Sequence, residues 1–456
     1  MLDIRIFTIL VAFVCVKGRS ISSDVENNYC YPTDVHPYLN AGTKTAYHYM
    51  HGLITNTSVP SCEPVQIWML ARHGTRYPGR KEIKSMKKKL SELQDDIIDN
   101  HKKHGRGGLC KESIKMLKKW KVNPDLSKDT QKYLTEQGEE DLKLMGARYK
   151  DYFPELLQSN SSKYKLRATN TQRTVASMNS FIEGLIGNES TTDGVIGNTP
   201  TIDMEVLESD EDALLKLYKF CKPWLDEVHS PSTNAEDNDF VNGPVMNETV
   251  HEISRRLGFK HDLPYDTVLI MYKACVFERA WFVDKLSPWC AAFTEKSLKV
   301  FEYEEDLYYY YHSSYGQNMS NKVGCTTLQD MFEHFTKLEE GNTKNEPQGI
   351  FYFSHSTSLQ LLFTTMGIAK DTTPLKAGNY ESMVDSRKWR TSYLVPFAAN
   401  IAAVFYRCDS SNKVRFYLNE KPLDVEGCDG SVCDWKYLKE KLGDAAFSCN
   451  VDFCSR

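Results

Sequence analysis

The sequence predicts an α/β fold, in which a doubly wound sheet domain is formed from both ends of the chain and a mostly helical cap is inserted into it. Three observations predict this arrangement. Segments 64–97 and 349–368 each have the pattern of a strand, a polar turn and a helix. Segment 180–345 between them has a mostly helical pattern, and segment 396–423 has the pattern of two more strands. The chain therefore returns to the sheet after the helical insertion.

The composition indicates a large globular protein. The chain has 456 residues, of which 41% are hydrophobic and 26% are charged, so it can bury a substantial core and is not a disordered or collagen-like chain. It carries 56 Lys and Arg against 61 Asp and Glu, a formal net charge of −5. Without a general basic excess we expect no nucleic-acid partner, and an anionic ligand must be held by local positive charge.

The first twenty residues have the pattern of a secretory signal peptide. An apolar run from Ile6 to Val16 follows Arg5 and precedes small polar residues. Eleven apolar residues are too few to cross a bilayer. The competing interpretations are a membrane anchor and a buried N-terminal strand. We expect residues 1–20 to be removed, the mature chain to start near Ile21, and the protein to be secreted or to lie in the lumen of the secretory pathway, with no stable membrane anchor.

The cysteines fit that compartment. Twelve cysteines remain after Cys15 is removed with the signal peptide, and an even number in a secreted chain favours disulfides. Cys428 and Cys433 lie close together, but no paired C-x-x-C motifs accompany them, so no metal site is predicted. The sequence also has five N-glycosylation sequons, at Asn56, Asn160, Asn188, Asn247 and Asn318.

The first strand-turn-helix unit starts with a strand at Val65–Ala71. Gly74 and Pro78 then interrupt the pattern, and a helix follows that is rich in lysine in its first half. Such a run of lysines is most often a solvated helix face.

The second unit has a strand at Ile350–Phe353, a polar junction at Ser354–Thr357, and a helix at Leu359–Met366 that Gly367 ends. In open α/β sheets, ligands bind in the crevice just beyond the carboxyl ends of the strands. His73 and His355 take that position in the two units.

The remaining segments complete the predicted organisation. Residues 230–244 are rich in Asn, Asp, Ser and Pro and are predicted to form an exposed loop, and Asp409–Asn412 is predicted to be a turn between two strands. The predicted domain from 21 to 456 has an α/β core at about 60–80, 160–182 and 346–456, with cap segments at about 82–158 and 183–345.

Residues 72–78, with the sequence RHGTRYP, carry the chemistry. They place the imidazole of His73 between the guanidiniums of Arg72 and Arg76, beside a glycine that allows close approach of the backbone. Guanidiniums offer paired donors and a permanent charge to phosphate oxygens. A neutral His73 could attack phosphorus while the arginines stabilise the transition state. The competing interpretation, two surface charges around a structural histidine, does not explain five fixed positions in a strand-turn-helix context.

The motif resembles the R-H-G-x-R-x-P signature of the branch-two histidine phosphatases, the family of the histidine acid phosphatases and phytases. Other segments resemble the inositol polyphosphate branch of that family in order and spacing, and together they cover nearly the whole mature chain. They are GTKTAY at 42–47, RATNTQRTVASMNSFIEGL at 167–185, MYKACVFERAW at 271–281, SPWC at 287–290 and AANIAAVFYRC at 398–408.

The resemblance implies a role for each matching residue. His73 is the expected phosphoryl acceptor and His355 the second histidine of the pocket. The expected phosphate-binding residues are Arg72, Arg76 and Arg173, with Arg80 and Lys81 as contacts for outer phosphates. From the residues alone, Arg173 and Arg167 could equally be charges at a helix end.

The chain departs from the family after the second histidine. The family follows that histidine with an acid, H-A-E in the inositol polyphosphate branch and H-D in acid phosphatases, and the carboxyl protonates the leaving oxygen. Here the sequence is His355-Ser356-Thr357, and an aliphatic hydroxyl is not a useful acid. Three explanations stay open: a carboxyl reaches in from elsewhere, the substrate has a better leaving group or supplies its own proton, or the protein mainly binds polyphosphates.

The resemblance implies a secreted phosphatase that hydrolyses inositol hexakisphosphate, lower inositol phosphates and also 2,3-bisphosphoglycerate through a phosphohistidine. Its partners are small phosphate esters, it needs no metal or organic cofactor, and the sequence specifies no oligomeric state. The alternatives are a secreted inositol-phosphate-binding protein with weak or no turnover, and a phosphotransferase. The family also suggests disulfides between Cys275 and Cys290 and between Cys428 and Cys433. A third pair, Cys62 with Cys408, would join the two ends of the α/β domain.

Overall fold

The computed structural model describes residues 29–33, 39–157, 163–187 and 201–455. The predicted signal peptide and the sequons at Asn160 and Asn188 lie outside these residues. A central sheet has eight strands: β1 Cys62–Arg72, β2 Lys163–Thr169, β3 Thr201–Leu207, β4 Gly349–Ser354, β5 Asn400–Cys408, β6 Lys413–Leu418, β7 Lys421–Pro422 and β8 Val432–Asp434. The strand order is β3-β2-β4-β1-β5-β6-β7, and β8 pairs with β6.

The helices flank this sheet. Their bounds are α1 Tyr47–Met50, α2 Arg80–Lys102, α3 Lys111–Lys119, α4 Glu136–Tyr152, α5 Pro154–Leu157, α6 Gln172–Ile186, α7 Ala213–Lys216, α8 Lys222–Val228, α9 Ala235–Val241, α10 Pro244–Arg256, α11 Tyr265–Trp281, α12 Glu295–Ser313, α13 Ser320–Val323, α14 Cys325–Glu339, α15 Ser356–Met366, α16 Tyr380–Met383, α17 Thr391–Leu394 and α18 Trp435–Phe447. Short 3₁₀ turns include Gly42–Lys44, Leu217–Lys219, Pro231–Asn234 and Pro288–Ala292. In the part of the chain that is described, none of the helices combines the length and the apolar character that a membrane span requires.

Both faces of the sheet are covered. Strand β1 pairs in parallel with β4 and antiparallel with β5. Its side chains alternate between two cores: Ile67 and Met69 pack with helices α4 and α6, while Trp68 and Leu70 belong to the core that contains α15, α11 and α12. Burial on both faces explains why the strand is continuously apolar. The predicted α/β fold class is confirmed.

Most predicted elements are present, and one is wrong. The strands at 65–71 and 350–353, the helix that ends at Gly367, and the strand pair around 409–412 all form. The predicted loop at 230–244 is instead helical over Pro231–Asn234 and α9. The reason is Phe240, which is only 1% exposed and packs against Tyr303 and Tyr380, so its burial overrides the polar composition.

Strand β3 lies inside segment 183–345, which the sequence analysis assigns to the cap, and it pairs with β2 along its whole length. The division into core and cap stays a prediction.

Six disulfides form among the described residues, and four of them connect parts of the chain that are 80 or more residues apart. The three pairs expected from the sequence form, including Cys62–Cys408, which joins the first residue of β1 to the last of β5. The other pairs are Cys30–Cys110, Cys221–Cys454 and Cys325–Cys449. Such a disulfide content is typical of proteins that fold in the secretory pathway.

Candidate active site

The candidate site lies at the carboxyl edge of the three neighbouring parallel strands β1, β4 and β2. Arg72 at the end of β1 is in register with Ser354 at the end of β4, and β2 ends at Thr169 beside them. His73 and His355 are the next residues after β1 and β4, so their rings meet with centroids 5.6 Å apart. The sheet therefore brings together two histidines that are 282 residues apart in sequence.

The backbone of His73 is fixed on both sides. Its N–H donates to Ser354 O (3.0 Å), and its carbonyl accepts from Ala398 N–H (3.1 Å). The ring Nδ1 lies 2.9 Å from Gly74 O. A carbonyl oxygen can only accept, so Nδ1 carries the proton and Nε2 carries the lone pair. Burial, together with the charges of Arg72 and Arg173, holds the pKa of His73 well below its usual value. His73 is therefore a neutral imidazole with a nucleophilic Nε2.

Close packing against helix α4 explains why the residue after His73 is a glycine. A Cβ at Gly74 would lie 2.5 Å from Gly138 O on helix α4. The Gly74 N–H donates to Ser177 Oγ (3.0 Å) on α6, which in turn donates to Arg173 O. This close packing ties the signature to the helix that carries Arg173.

Three guanidiniums surround the histidines. Arg72 donates from Nη1 to Thr43 O (2.6 Å) and Val395 O (2.7 Å), and it lies 4.7 Å from the centre of the Phe397 ring. Arg76 donates from Nη1 to Tyr77 O. Arg173 lies 3.2 Å from His355, from Nη2 to Nδ1.

Within the described residues, none of these three guanidiniums is hydrogen-bonded to a carboxylate. Burial and their mutual repulsion lower the pKa of Arg72 and Arg173, but an arginine stays charged in a protein. Three partly desolvated positive charges without carboxylate partners form a site for an anion.

His355 is also neutral. Burial, reinforced by the charge of Arg173, holds the pKa of His355 well below its usual value. Its Nδ1 faces the Arg173 donor, and its Nε2 lies 3.2 Å from Thr169 Oγ1, which itself donates to Thr174 Oγ1. Nδ1 therefore accepts and Nε2–H donates. In this arrangement His355 positions Arg173, while Ser356 and Thr357 begin helix α15 beside it.

The other predicted residues take different positions. Arg80 and Lys81 are exposed at the first two positions of α2 and form no ion pair within the described chain. Their role as contacts for outer phosphates stays a prediction.

Lys216 is a site residue that the sequence analysis missed. Leu215 O accepts from Ser354 Oγ (3.2 Å) and Ser358 Oγ (2.9 Å), so helix α7 packs directly against the segment that holds His355. The charges of Lys216 and the nearby Lys219 contribute to the low pKa of His355. No motif marks this segment, and the pairing of β3 with β2 places it there.

Glu82 and Glu305, the acids whose charges act on Arg72 and Arg76, are not proton donors. Although burial opposes ionisation, Lys273 lowers the pKa of Glu82, and Lys44 lowers the pKa of Glu305. The two ion pairs span 3.0 Å and 2.6 Å. Both carboxylates are ionised, so neither replaces the acid that is missing at positions 356 and 357.

One group outside the site has metal-ligand spacing among the described residues, formed by Cys30, Cys110 and Glu112. The two sulfurs are joined in a disulfide and offer no thiolate, so the group is not a metal centre.

Comparison with known proteins identifies the family. The sequence model of the histidine phosphatase superfamily, branch 2, matches residues 65–419. The chain belongs to this family. As a branch-2 histidine phosphatase it is a phosphomonoesterase, and the resemblance seen in the sequence is confirmed.

The relatives of this histidine phosphatase are named as phosphatases. Multiple inositol polyphosphate phosphatase 1 of Drosophila melanogaster is 34% identical to the chain, over 94% of this chain and 91% of the relative. Its Homo sapiens counterpart is 29% identical, over 91% and 88%. These comparisons give no support to the alternative of a binding protein without turnover.

Solved structures confirm the fold. The phytase from D. castellii superposes with a TM-score of 0.72 at 19% identity, covering 92% of this chain and 87% of that one. The multiple inositol polyphosphate phosphatase of Bifidobacterium longum, in complex with inositol hexasulfate, superposes with a TM-score of 0.63 at 14% identity, covering 90% and 98%.

Proposed function

We propose that this histidine phosphatase hydrolyses phosphomonoesters of inositol polyphosphates, including inositol hexakisphosphate, in the extracellular space or the lumen of the secretory pathway. The observation that carries the proposal is the neutral His73, whose Nε2 has a free lone pair inside a cluster of three guanidiniums without carboxylate partners. The names of the relatives and the bound inositol hexasulfate of the bacterial enzyme support the substrate class. 2,3-Bisphosphoglycerate is a second substrate of the same kind.

Each step of the proposed reaction has its residues. Arg72, Arg76 and Arg173 bind one phosphate and orient it for in-line attack by His73 Nε2. The N–P bond forms as the bond from phosphorus to the inositol oxygen breaks, and that oxygen takes up a proton. Water then attacks the phosphohistidine, and inorganic phosphate leaves. The Nδ1–H of His73 donates to Gly74 O throughout, which stabilises the positive charge that develops on the ring.

The pocket carries more positive charge than one phosphate needs. The Lys132 N–H donates to Pro78 O (3.0 Å), and burial together with the charges of Arg76 and Arg173 lowers the pKa of Lys132. Lys216 and Lys219 lie on the side of His355. A ligand with several phosphates would interact with these ammonium groups while one phosphate occupies the arginine cluster.

Phosphate release tests the proposal. Wild type and His73→Ala are compared with inositol hexakisphosphate and para-nitrophenyl phosphate between about pH 4 and pH 7.5, where histidine and carboxyl groups titrate. We expect wild type to release phosphate from both esters and His73→Ala to release none. Rapid quenching in base should trap labelled phosphohistidine in wild type only.

Comparing the two esters also shows whether the site supplies a proton to the leaving oxygen. The inositol alkoxide needs a proton to leave, whereas para-nitrophenolate is a good leaving group without one. Turnover of the phenyl ester alone would mean that the site lacks an acid. A higher melting temperature with inositol hexakisphosphate and no release from either ester would contradict the proposed activity.

A further inference from the structure

The sequence has a strongly basic region, most of whose charges have no part in the candidate active site. Segment 80–132 carries 16 Lys and Arg against 8 Asp and Glu, a net charge of +8, whereas the whole chain has a net charge of −5. The excess positive charge is therefore local, and the rest of the molecule is acidic.

The fold places these charges on one surface. Helices α2 and α3 lie side by side, because Gln94 Nε2 donates to Leu117 O (2.6 Å) and Trp120 O (3.1 Å). The loop after α3 then runs back along α2, where Lys87 Nζ donates to Leu126 O (2.7 Å). We call the resulting patch the lysine surface, formed by Lys84, Lys87, Lys88, Lys118, Lys119 and Lys121. With 1.5 Å per residue, the stretch of α2 from Lys81 to Gln94 is about 20 Å long.

The charges on the lysine surface are not compensated. All six side chains are exposed, and none forms an ion pair with a carboxylate of the described chain. Elsewhere, exposed lysines such as Lys222 and Lys103 pair with an acid one helical turn away. Neighbouring like charges repel, so a bound polyanion would relieve a repulsion that the protein itself leaves in place.

An apolar groove lies beside these lysines. A cavity of about 440 Å³ is lined by Trp120, Phe282 and Leu286 and by three lysines, Lys119, Lys121 and Lys285. Phe282 is 40% exposed and Leu286 is 38% exposed.

The polar group of this groove is already satisfied. Glu278 accepts from Trp120 Nε1 (2.7 Å) and Ser287 Oγ (2.6 Å), so both of its oxygens have donors. The groove therefore offers aromatic and aliphatic surface between ammonium groups, and its carboxylate is held by the protein's own donors.

We propose that the lysine surface and this groove bind a sulfated polysaccharide. Sugar rings present C–H faces that pack on aromatic side chains, and their sulfate groups pair with ammonium groups. Six disulfides indicate an oxidising compartment, and sulfated polysaccharides are polymeric anions of such compartments. A recessed groove fits a chain of rings better than a flat lipid surface, and binding there leaves the arginine cluster free for substrate.

A heparin-derived oligosaccharide serves as the probe. The test variant combines Lys84→Ser, Lys88→Ser, Lys118→Ser, Lys119→Ser and Lys121→Ser, and it keeps Lys87 because of the contact with Leu126. The matched control replaces five exposed lysines outside this region: Lys260→Ser, Lys322→Ser, Lys344→Ser, Lys388→Ser and Lys436→Ser. Affinity is measured by calorimetry over a range of NaCl concentrations.

Counterion release sets the expected size of the effect. Each neutralised nucleic-acid phosphate contributes about 0.7–0.9 to the slope of log affinity against log salt, and we expect a comparable contribution per lysine here. The test variant should lower the slope by about 3.5 to 4.5, and the control should leave it unchanged. Hydrolysis of para-nitrophenyl phosphate should be the same in wild type, variant and control, and heparin should not inhibit it.

Four results would overturn the proposal. Competitive inhibition by heparin that persists in the test variant would place heparin in the active site. Equal losses in variant and control would mean binding by general charge. Binding to anionic phospholipid vesicles but not to heparin would assign the surface to membranes. The fourth is an absence of heparin binding by wild type at about 150 mM salt.

Discussion

At the scale of single residues, His73 is suited to its proposed role as nucleophile, whereas Thr357 is not suited to the role of general acid. His73 is prepared for attack, because Gly74 O fixes its Nδ1–H and burial keeps it neutral. Thr357 stands where the inositol polyphosphate branch has its acid, and the nearby Glu82 and Glu305 are ionised in pairs with lysines. The groups that we propose form the phosphohistidine are present, whereas the proton for the leaving oxygen has no donor among Thr357, Glu82 and Glu305.

Thr357→Glu should therefore increase turnover of inositol hexakisphosphate. A positioned general acid contributes typically about 10²–10⁴-fold, so we expect a rise in kcat of about that size below pH 5, where a carboxyl is partly protonated. Hydrolysis of para-nitrophenyl phosphate should change little, because its leaving group does not need the proton. Steady-state kinetics with both esters measure the effect.

Thr357→Gln is the matched control, since it has nearly the shape of glutamate but no acidic proton. An equal gain in both variants would mean that side-chain size, not proton donation, limits the wild-type enzyme. No gain in Thr357→Glu would mean that a proton already arrives by another route.

At the scale of elements, helix α12 positions Arg72 through a short turn. Glu305 on α12 accepts hydrogen bonds from Thr43 Oγ1 and from Lys44 Nζ (2.6 Å) in the turn Gly42–Lys44. Thr43 O then accepts from Arg72 Nη1 (2.6 Å). This chain of contacts fixes one side of the Arg72 guanidinium, which we propose binds phosphate.

Glu305→Gln should loosen that turn. The amide keeps an acceptor for Thr43 but leaves Lys44 without its counter-charge, at a cost of about 1–3 kcal/mol in unfolding free energy. Because Arg72 then loses a fixed acceptor, we expect KM to rise about tenfold, equivalent to about 1.4 kcal/mol, with a smaller change in kcat. Urea unfolding and steady-state kinetics with para-nitrophenyl phosphate measure the two effects.

Asp385→Asn provides the comparison for Glu305→Gln. It removes the ion pair that Asp385 forms with Lys299, which lies on α12 as Glu305 does. That pair spans 2.8 Å, but the Asp385 side chain is 73% exposed, so the loss should stay within about 0.5 kcal/mol. Similar effects of the two substitutions on KM would contradict a positioning role for Glu305.

The sequence predicts those elements whose signals are local. The signature 72–78 and the junction 354–357 each follow an apolar strand, so their positions at the carboxyl edge of the sheet follow from pattern alone. Lys216 could not be found this way, because β3 carries it to the site by pairing with β2. Helix α9 could not be predicted from its polar composition, because the burial of a single side chain, Phe240, stabilises it.

At the scale of the whole molecule, the sheet depends on closing a long loop. β1 and β5 are adjacent antiparallel strands, and the disulfide Cys62–Cys408 joins them across 346 residues of sequence. The chain between these two cysteines, which includes His355, forms that loop.

The double variant Cys62→Ser/Cys408→Ser should lose about 2–5 kcal/mol of unfolding free energy, because the unfolded chain regains the freedom of a long loop. Cys428→Ser/Cys433→Ser opens a loop with a separation of only 5 residues and should cost less, at most about 2 kcal/mol. Urea unfolding at neutral pH measures both. Equal losses would contradict the loop-closure explanation.

The stability of the whole molecule should also depend on the charge state of its active site. Burial and neighbouring arginines hold the pKa values of His73 and His355 well below the value of about 6.5 in an unfolded chain. Below that pH the unfolded state binds protons that the folded state does not, so the unfolding free energy decreases as the pH falls. Each histidine contributes at most about 1.4 kcal/mol per pH unit.

The contribution of the two histidines must be separated from that of buried acids. Burial raises the pKa of Asp141 and Asp306 to about 7 each, and these carboxyls act in the opposite direction, because the folded state then binds the extra proton.

The difference between wild type and His73→Gln/His355→Gln isolates the histidines. We expect this difference in unfolding free energy to be constant above about pH 6.5 and to shift against wild type at lower pH. Inorganic phosphate should reduce the shift, because a bound anion favours the protonated imidazoles. Urea unfolding at several pH values, with and without phosphate, measures the effect. A difference that is independent of pH would mean that the two histidines are not held neutral in the folded protein.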